Sequence, residues 1–336
     1  MYIRDVHVDR GLVLAPMEGV TDLTFRRLIR HVGGAGMVFT EFIPAKGLAQ
    51  NIERCRETAK FDPDQRPVAI QVYGRDPGAL ADGARAAQEL GADVVDLNMG
   101  CPSKKVCKNS GGSSLMREPL LVRDIVRAMR AAVSIPFTVK MRSGWDVDSK
   151  NAPELAVICV EEGAEAVTVH WRTRTDLYGG DRELDTVAAV KQAVDVPVLF
   201  NGDIIDAASA AEALAYTGCD GLMIGRGAIR NPWVFREIRH ALYGEPAVVP
   251  DATEKERVLM AYYAELRTRF RSDKGTLGRM KKIARYFTQG LPHGDDLKMS
   301  VFHSQSIAEA EAALRTYFDR LRRYEAGHAD AFETAA

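Results

Sequence analysis

Cys101 lies within the run DLNMGCPSKKVCKNSGG (residues 96–112), just past an apolar segment and directly before Pro102. Lys104, Lys105 and Lys108 follow closely, and nearby positive charge lowers a thiol pKa and marks a reactive cysteine, whereas a buried cysteine is inert. By position alone Cys101 fits a packed small residue equally well. Cys107 shares the charged setting but lies off the segment end and reads as an ordinary loop thiol. Lys140 closes the run FTVKM, and an ammonium group held there needs an anionic partner, an electron-rich ring or a carbonyl. A salt bridge to Glu18 or Asp96 would serve the same need. The amide of Gln71 has two donors and an acceptor, suited to the edge of a heterocycle or to a loop carbonyl. His170 ends the run AVTVH, where hydrogen-bonded packing is the plainer explanation. The segments FNGDI and MIGRGA bring Asn201, Gly202, Asp203, Gly225 and Arg226 to two further ends. Glycine lets backbone N–H groups approach an anion and arginine adds a charged fork, so the two together point to a phosphate. Each glycine singly needs no more than a tight turn.

These groups fall at the ends of eight short runs rich in Val, Ile and Leu: GLVLAP, GMVFTEF, PVAIQVYG, ADVVDLN, PFTVKM, AVTVHW, PVLFNG and DGLMIGRG. Near-continuous apolar runs are expected of strands buried on both faces of a parallel sheet. Amphipathic stretches separate them, including 23–30, 80–90, 121–133, 152–162 and 207–216, with Thr21-Asp22 and Asp206 as helix-entry residues. Eight such units over about 230 residues predict an α/β fold, a (β/α)8 TIM barrel. No GxGxxG follows the first strand, which disfavours a doubly wound dinucleotide fold. Active sites of such barrels lie at the carboxyl ends of the strands. That places Pro16, Met17 and Glu18, Gln71, Asn98, Lys140 and Arg142, His170 and Arg172, and the two glycine loops around one mouth.

The remaining composition narrows the class. Of 336 residues 46% are hydrophobic and 27% charged, as in a globular protein rather than a disordered one. Five scattered cysteines with no CxxC or CxxH pair predict neither a disulfide framework nor a metal site. The charged start MYIRDVHVDR is not a signal peptide, and no apolar run approaches bilayer length, so a cytoplasmic protein without a membrane partner is expected. Lys plus Arg number 45 against 46 acids, so global charge gives no sign of nucleic acid. The expected division is a barrel over 1–243, a linker over 244–252, a small all-helical domain over 253–325 and a tail over 326–336. Thr253-Glu-Lys-Glu256 and Ser306-Ile-Ala-Glu309 read as capping boxes opening helices, and 279–287 as a further helix.

Taken together, LAPMEGVTD, TEF, VYGRDP, DLNMGCPSKKV, VKMRSGWD, VHWRTR, FNGDI and MIGRGA resemble the tRNA-dihydrouridine synthases, flavoenzymes that reduce a uridine of tRNA. The resemblance spans all eight strand ends in order and continues into the helical part. Cys107 within the loop departs from the pattern and leaves open whether Cys101 is the sole reactive thiol. The resemblance implies FMN as cofactor and NADPH as reductant. Pro16, Met17 and Glu18 would lie along the isoalloxazine, with Gln71 and Lys140 bonding its pyrimidine edge and His170 beside it. Asn201, Gly202, Asp203, Gly225 and Arg226 would hold the ribityl chain and phosphate. Cys101 would be the proton donor and Asn98 would help hold the uracil, with Arg142 and Arg172 on the substrate side. The lysines after Cys101 would then serve RNA phosphate rather than a thiolate.

A stacked tRNA base must be extruded to reach the mouth, which calls for a broad phosphate-binding surface. From Arg267 to Arg285 the chain carries Arg267, Arg269, Arg271, Lys274, Arg279, Lys281, Lys282 and Arg285 against Asp273 alone, interleaved with Phe270, Tyr286 and Phe287. A charge run is usually a solvated helix face. Because acids are nearly absent at i,i+4, an RNA-facing patch on a monomer is expected, with Arg279, Lys281 and Lys282 at its centre. The competing readings are a flavin enzyme acting on a free pyrimidine, a non-redox phosphate barrel and a non-catalytic RNA binder. The first leaves the basic helices without a purpose, the second uses the helical appendage for assembly and predicts a colourless protein, and the last leaves the polar strand ends without a purpose.

Overall fold

Eight short strands rich in β-branched and aliphatic residues close into a barrel because each has two faces to bury. The structure, a computed structural model, describes residues 1–103, 106–107, 111–270 and 272–332. Lys104, Lys105 and Lys108 of the cysteine loop, Arg271 of the basic run and residues 333–336 of the tail lie outside the described residues. The barrel strands are β1 (Leu12–Leu14), β2 (Met37–Phe39), β3 (Val68–Tyr73), β4 (Val94–Met99), β5 (Phe137–Arg142), β6 (Ala166–His170), β7 (Val198–Asn201) and β8 (Gly221–Ile224). All pair in parallel, β8 with β1 and β2 with β3, so no edge is left open.

Alternation along each strand sorts the side chains. Val95, Leu97, Val139, Val167 and Leu222 point outward, into the core beneath the helices. Val13, Met37, Ala69, Val94, Ala166, Leu199 and Met223 point inward and form a separate cluster inside the barrel. A hairpin of Tyr2–Ile3 with Val6–His7 adds Ile3 and Val8 to that inner cluster and closes the end away from the mouth. Above this apolar floor the inward positions turn polar: Gln71, Asp96, Thr138 and Thr168, then Asn98, Lys140 and Asn201, all nine-tenths or more buried. Core packing does not call for such residues, so this layer is where function enters.

The helices that follow the strands are α1 (Leu23–Val32), α2 (Ala45–Ala49), α3 (Glu53–Ala59), α4 (Pro77–Glu89), α5 (Pro119–Ala132), α6 (Ala152–Glu161), α7 (Asp185–Ala193), α8 (Ala207–Thr217), α9 (Arg226–Arg230) and α10 (Val234–Tyr243). Asp22 caps α1 by accepting from the Phe25 N–H, and Asp206 caps α8 in a reciprocal box with Ser209.

Four helices complete the chain: α11 (Ala252–Arg269), α12 (Asp273–Phe287), α13 (Gly294–His303) and α14 (Ile307–Glu325). The first begins earlier than the capping-box reading had it. Asp251, not Thr253, is the cap and accepts from the Glu254 N–H at 2.8 Å. Ser306 caps α14 as expected. Helix α13 went unread, because a start at Gly294 after a positive-φ histidine carries no capping side chain. Apolar contact runs unbroken from the barrel into these helices, with Tyr262 of α11 packed edge-on to Phe25 of α1 at 6.2 Å between ring centres. No helix among the described residues is long and apolar enough to cross a membrane.

Candidate active site

Parallel register brings the polar strand residues side by side. Gln71 pairs with Asp96, Asp96 with Thr138, Asn98 with Lys140, Arg142 with His170 and His170 with Asn201. A chain of hydrogen bonds follows from it. Thr138 Oγ1 donates to Asp96 Oδ1 at 2.6 Å, Gln71 Nε2 to Asp96 Oδ2 at 2.7 Å, and Asn98 Nδ2 to Gln71 Oε1 at 2.7 Å. Asn98 Oδ1 then accepts from the N–H groups of Gly100 and Cys101 at 3.2 and 3.0 Å. Each amide orientation is thereby fixed by its neighbour, and the chain ends at the backbone carrying the cysteine. Among the described residues, one Gln71 N–H has no acceptor.

The Cys101 carbonyl is held as firmly, accepting from the Ser113 N–H at 3.1 Å and the Ser113 hydroxyl at 3.0 Å. The Cys107 thiol sits 3.5 Å from the same carbonyl and 3.4 Å from Ser113 Oγ, so Cys107 packs beneath the turn instead of projecting into solvent. Burial pushes the Cys101 thiol up to about 11, with Glu18 and Cys107 adding to the rise and the Ser103 N–H and Arg142 opposing it. At neutral pH it is a thiol that can give a proton, not a thiolate nucleophile.

Lys140 is 8% exposed and among the described residues makes neither a hydrogen bond nor an ion pair, so neither the Glu18 nor the Asp96 salt bridge forms. Burial, with Arg142 adding, lowers its ammonium to about 8, while Asp96 holds it up. Burial lifts Asp96 to about 7. An unpartnered buried ammonium facing the mouth is the chemistry of a site awaiting an electron-rich group. His170 is pushed well below its ordinary pKa by burial and by four cations, Arg142, Lys140, Arg172 and Arg226, so its imidazole is neutral.

At the ends of β7 and β8 the backbone supplies the cradle. Gly202 has φ +117°, and a Cβ there would lie 2.6 Å from Trp171 Cδ1. Asn201 Nδ2 donates to the Met223 carbonyl at 2.7 Å and fixes the two loops together. Asp203 accepts from Arg172 at 3.1 and 2.6 Å and from Arg226 at 2.8 Å. Two guanidiniums on one carboxylate leave net positive charge beside the Gly202 turn, as a phosphate requires. Met17 Sδ approaches to 3.5 Å from where a Gly225 Cβ would stand, bringing the β1 and β8 ends together. Pro16 and Met17 are half-buried at this rim and Glu18 is exposed.

Arg142 and Arg172 are also brought to the mouth, but most of their donors are engaged with protein. Arg142, 2% exposed, donates to the carbonyls of Gly100 at 2.8 Å, Thr173 at 2.6 Å and Leu177 at 3.0 Å. It ties the cysteine turn to the loop after β6. Arg172 binds Asp203 and the Gly179 carbonyl.

The basic run of α12 meets the barrel rather than standing free. Arg279 lies 3.3 Å from Asp22 Oδ2 and 3.9 Å from Glu41 Oε1. Lys282 donates to the Glu18 carbonyl at 2.9 Å and Lys281 to the Ser304 carbonyl at 2.8 Å. The acids that α12 lacks at i,i+4 are supplied across the seam by Asp22 and Glu41. Asp96 and Thr138 complete the polar layer; the same-parity polar pair Asp96 and Asn98 in ADVVDLN is a sequence signal for the first, and Thr138 carries none. Ser113 carried no signal, since its role depends on how the loop returns.

A family described as Dihydrouridine synthase (Dus) matches residues 13–322. The chain is 41% identical over 315 residues to the tRNA-dihydrouridine synthase B of Pseudomonas syringae pv. tomato, covering 93% of both. It is 36% identical over 322 residues to tRNA-dihydrouridine synthase B of Pectobacterium carotovorum, covering 96% of this chain and 100% of that one. To a probable tRNA-dihydrouridine synthase of Rickettsia conorii it is 37% identical, covering 89% of this chain and 90% of the other. Among solved structures, a 2-naphthoyl-CoA reductase complex superposes with a TM-score of 0.56 over 73% of this chain and 52% of its own, at 13% identity, a likeness of fold alone.

Proposed function

Because the chain belongs to the dihydrouridine synthase family, we propose that it reduces a uridine of tRNA to 5,6-dihydrouridine, with FMN as cofactor and NADPH as reductant. The residues fit a flat, anionic cofactor: Lys140 is buried without a partner, Gln71 keeps an open N–H, and Gly202 and Gly225 leave backbone approachable beside Arg226. Reduced FMN, when bound, supplies a hydride to C6 of the uracil. Lys140 and Gln71 would meet the pyrimidine edge of the ring, with neutral His170 beside them and Pro16, Met17 and Glu18 along its length. Asn201, Gly202, Asp203, Gly225 and Arg226 would hold the ribityl chain and phosphate.

Cys101 then donates its thiol proton to C5, and solvent reprotonates the sulfur. Asn98 orients the turn on which that thiol sits and borders the space for the uracil. Arg142 and Arg172 act on the substrate by holding the loops around it. Along α12, Lys281 and Lys282 each spend one of three donors within the protein and keep the rest for RNA phosphate. Arg279 contributes charge at the seam. We take the barrel over 1–243 as the catalytic unit and 253–325 as the tRNA-binding one, in a cytoplasmic monomer.

The observation that carries this reading is the half-buried Cys101 thiol, held protonated by burial two residues past β4, on a turn fixed by Asn98, the register partner of Lys140. The test is an anaerobic half-reaction. Protein reduced by NADPH is expected to reoxidise on adding unmodified tRNA, with dihydrouridine in the digested product. Cys101→Ala is expected to keep flavin and lose uridine reduction by about 10²-fold or more. Reoxidation by free pyrimidines but not by tRNA would transfer the reading to a small-molecule reductase. Absence of flavin after reconstitution would leave a non-redox barrel.

A further inference from the structure

The loop after β4 begins at Cys101 and ends, through the turn Gly112–Arg117, at a second cleft on the same rim. Its volume is about 520 Å³, and Met116, Arg117, Trp145, Asp146, Ser149 and Asn151 line it. Two guanidiniums lie over the Trp145 indole, Arg117 at 4.9 Å and Arg174 at 4.7 Å from the ring centre. On nearby α5, Arg123 and Arg127 pair with Glu161 and Glu162. Among the described residues Arg117 and Arg174 pair with no acid, and Arg174 Nε is buried with no acceptor. Within the lining, Asn151 Oδ1 is among the described residues buried without a donor, its Nδ2 being used on the Met116 carbonyl at 2.8 Å. Asp146 stands beside it, accepting from Ser149 Oγ at 2.6 Å. The cleft therefore brings an unpaired cation, an aromatic ring and acceptors together, with a second unpaired cation, Arg174, over the same ring.

We propose that this cleft is a nucleotide subsite, holding an RNA residue adjacent to the one whose base enters the barrel; the inference rests on the tRNA reading above. Arg117 and Arg174 meet the phosphate, the Arg–Trp stack carries the base plane, and Asp146 with Asn151 Oδ1 accepts from a base edge that bears an amino group. The position suits this role. Arg174 N–H donates to the Gly144 carbonyl at 2.9 Å and Thr175 N–H to Trp145 at 3.0 Å, and Arg142 ties the same loop to Gly100. The subsite and Cys101 are thus parts of one hydrogen-bonded rim, and a nucleotide fixed in the first sets where its neighbour stands over the second.

Binding of unmodified tRNA to the full-length flavoprotein tests this. Arg117→Ala and Trp145→Ala are each expected to raise Kd about tenfold, and Arg117→Ala to flatten the salt dependence by about one counterion. Trp171 and Trp233 are 3% exposed, so Trp145 should give most of any tRNA-induced fluorescence quenching, and Trp145→Phe should remove that larger part. Should Trp145→Ala lose its circular dichroism, the exposed Arg117 decides alone. Wild-type affinity in Arg117→Ala, or undiminished quenching in Trp145→Phe, while the parent protein binds and reduces tRNA, would overturn the subsite only. A parent protein that neither binds tRNA nor forms dihydrouridine would overturn the subsite and the proposed function together.

Discussion

Alkylation of Cys101 by iodoacetamide reports its protonation state without reference to turnover. An unperturbed thiol of pKa about 8.5 is roughly 3% thiolate at pH 7, whereas a thiol lifted by burial to about 11 is about 10⁻⁴ thiolate. The thiolate fraction alone therefore predicts a rate roughly 300-fold below that of a free cysteine. The more basic thiolate is intrinsically the better nucleophile by roughly tenfold, for a Brønsted slope of about 0.4–0.5. The net expectation is a rate about 30-fold below glutathione at pH 7, and lower still because the sulfur is half-buried. Access scales the rate at every pH, but only titration sets where the pH profile bends. Cys101 should gain about tenfold in rate per pH unit through pH 9.5, where glutathione has already levelled off. Trypsin cleaves after Lys104 and Lys105, so Cys101 and Cys107 fall on separate peptides and mass spectrometry follows each independently. A Cys101 profile that levels by pH 9 would refute the assignment of this thiol as a protonated acid.

Three further outcomes are expected. Because the folded chain keeps the Asp96 proton up to about pH 7 and the unfolded chain releases it near pH 4, stability should fall as pH rises between these values. Between pH 5 and 8 Asp96→Asn should remove up to about 3 kcal/mol of that dependence, and parallel urea curves at these two pH values for both proteins would disprove it. Gly202→Ala forces a side chain into φ +117° against Trp171 and should cost about 2 kcal/mol and lower the flavin content; an unchanged melting curve and flavin content would count against the cradle. Arg279→Ala leaves the buried Asp22 carboxylate without its cation and should cost about 1–3 kcal/mol, read from a lower urea midpoint, with Arg279→Lys in between. A midpoint within error of the parent would show that the seam does not need this pair.

Much of this was decided by local pattern. The strand runs are legible because burial on both faces demands continuous Val, Ile and Leu, and the mouth is legible because polar residues at strand ends have no packing explanation. Cys101, Lys140 and Gly202 could be named for that reason. The sequence also carried the helix caps at Asp22 and Asp206, where a short side chain bonds to its own neighbours. It misplaced the cap of α11, because Asp251 and Thr253 are both good caps two residues apart and only the path of the linker chooses between them.

What the sequence could not decide depends on partners far along the chain. Whether the Cys101 thiol is acidic or basic turned on burial and on Glu18, eighty-three residues away, and both raise its pKa. Arg142 reads as a substrate-facing cation until folding brings the carbonyls of Gly100, Thr173 and Leu177 around it. The basic run on α12 reads as unpaired because i,i+4 neighbours are all that a helix sequence displays. Its counter-charges sit on the barrel, at Asp22 and Glu41, more than two hundred residues earlier. The residue types and their order thus set the kind of chemistry available. Only the closed barrel, with its fixed register and its seam, decided which donors are spent on the protein and which remain for a ligand.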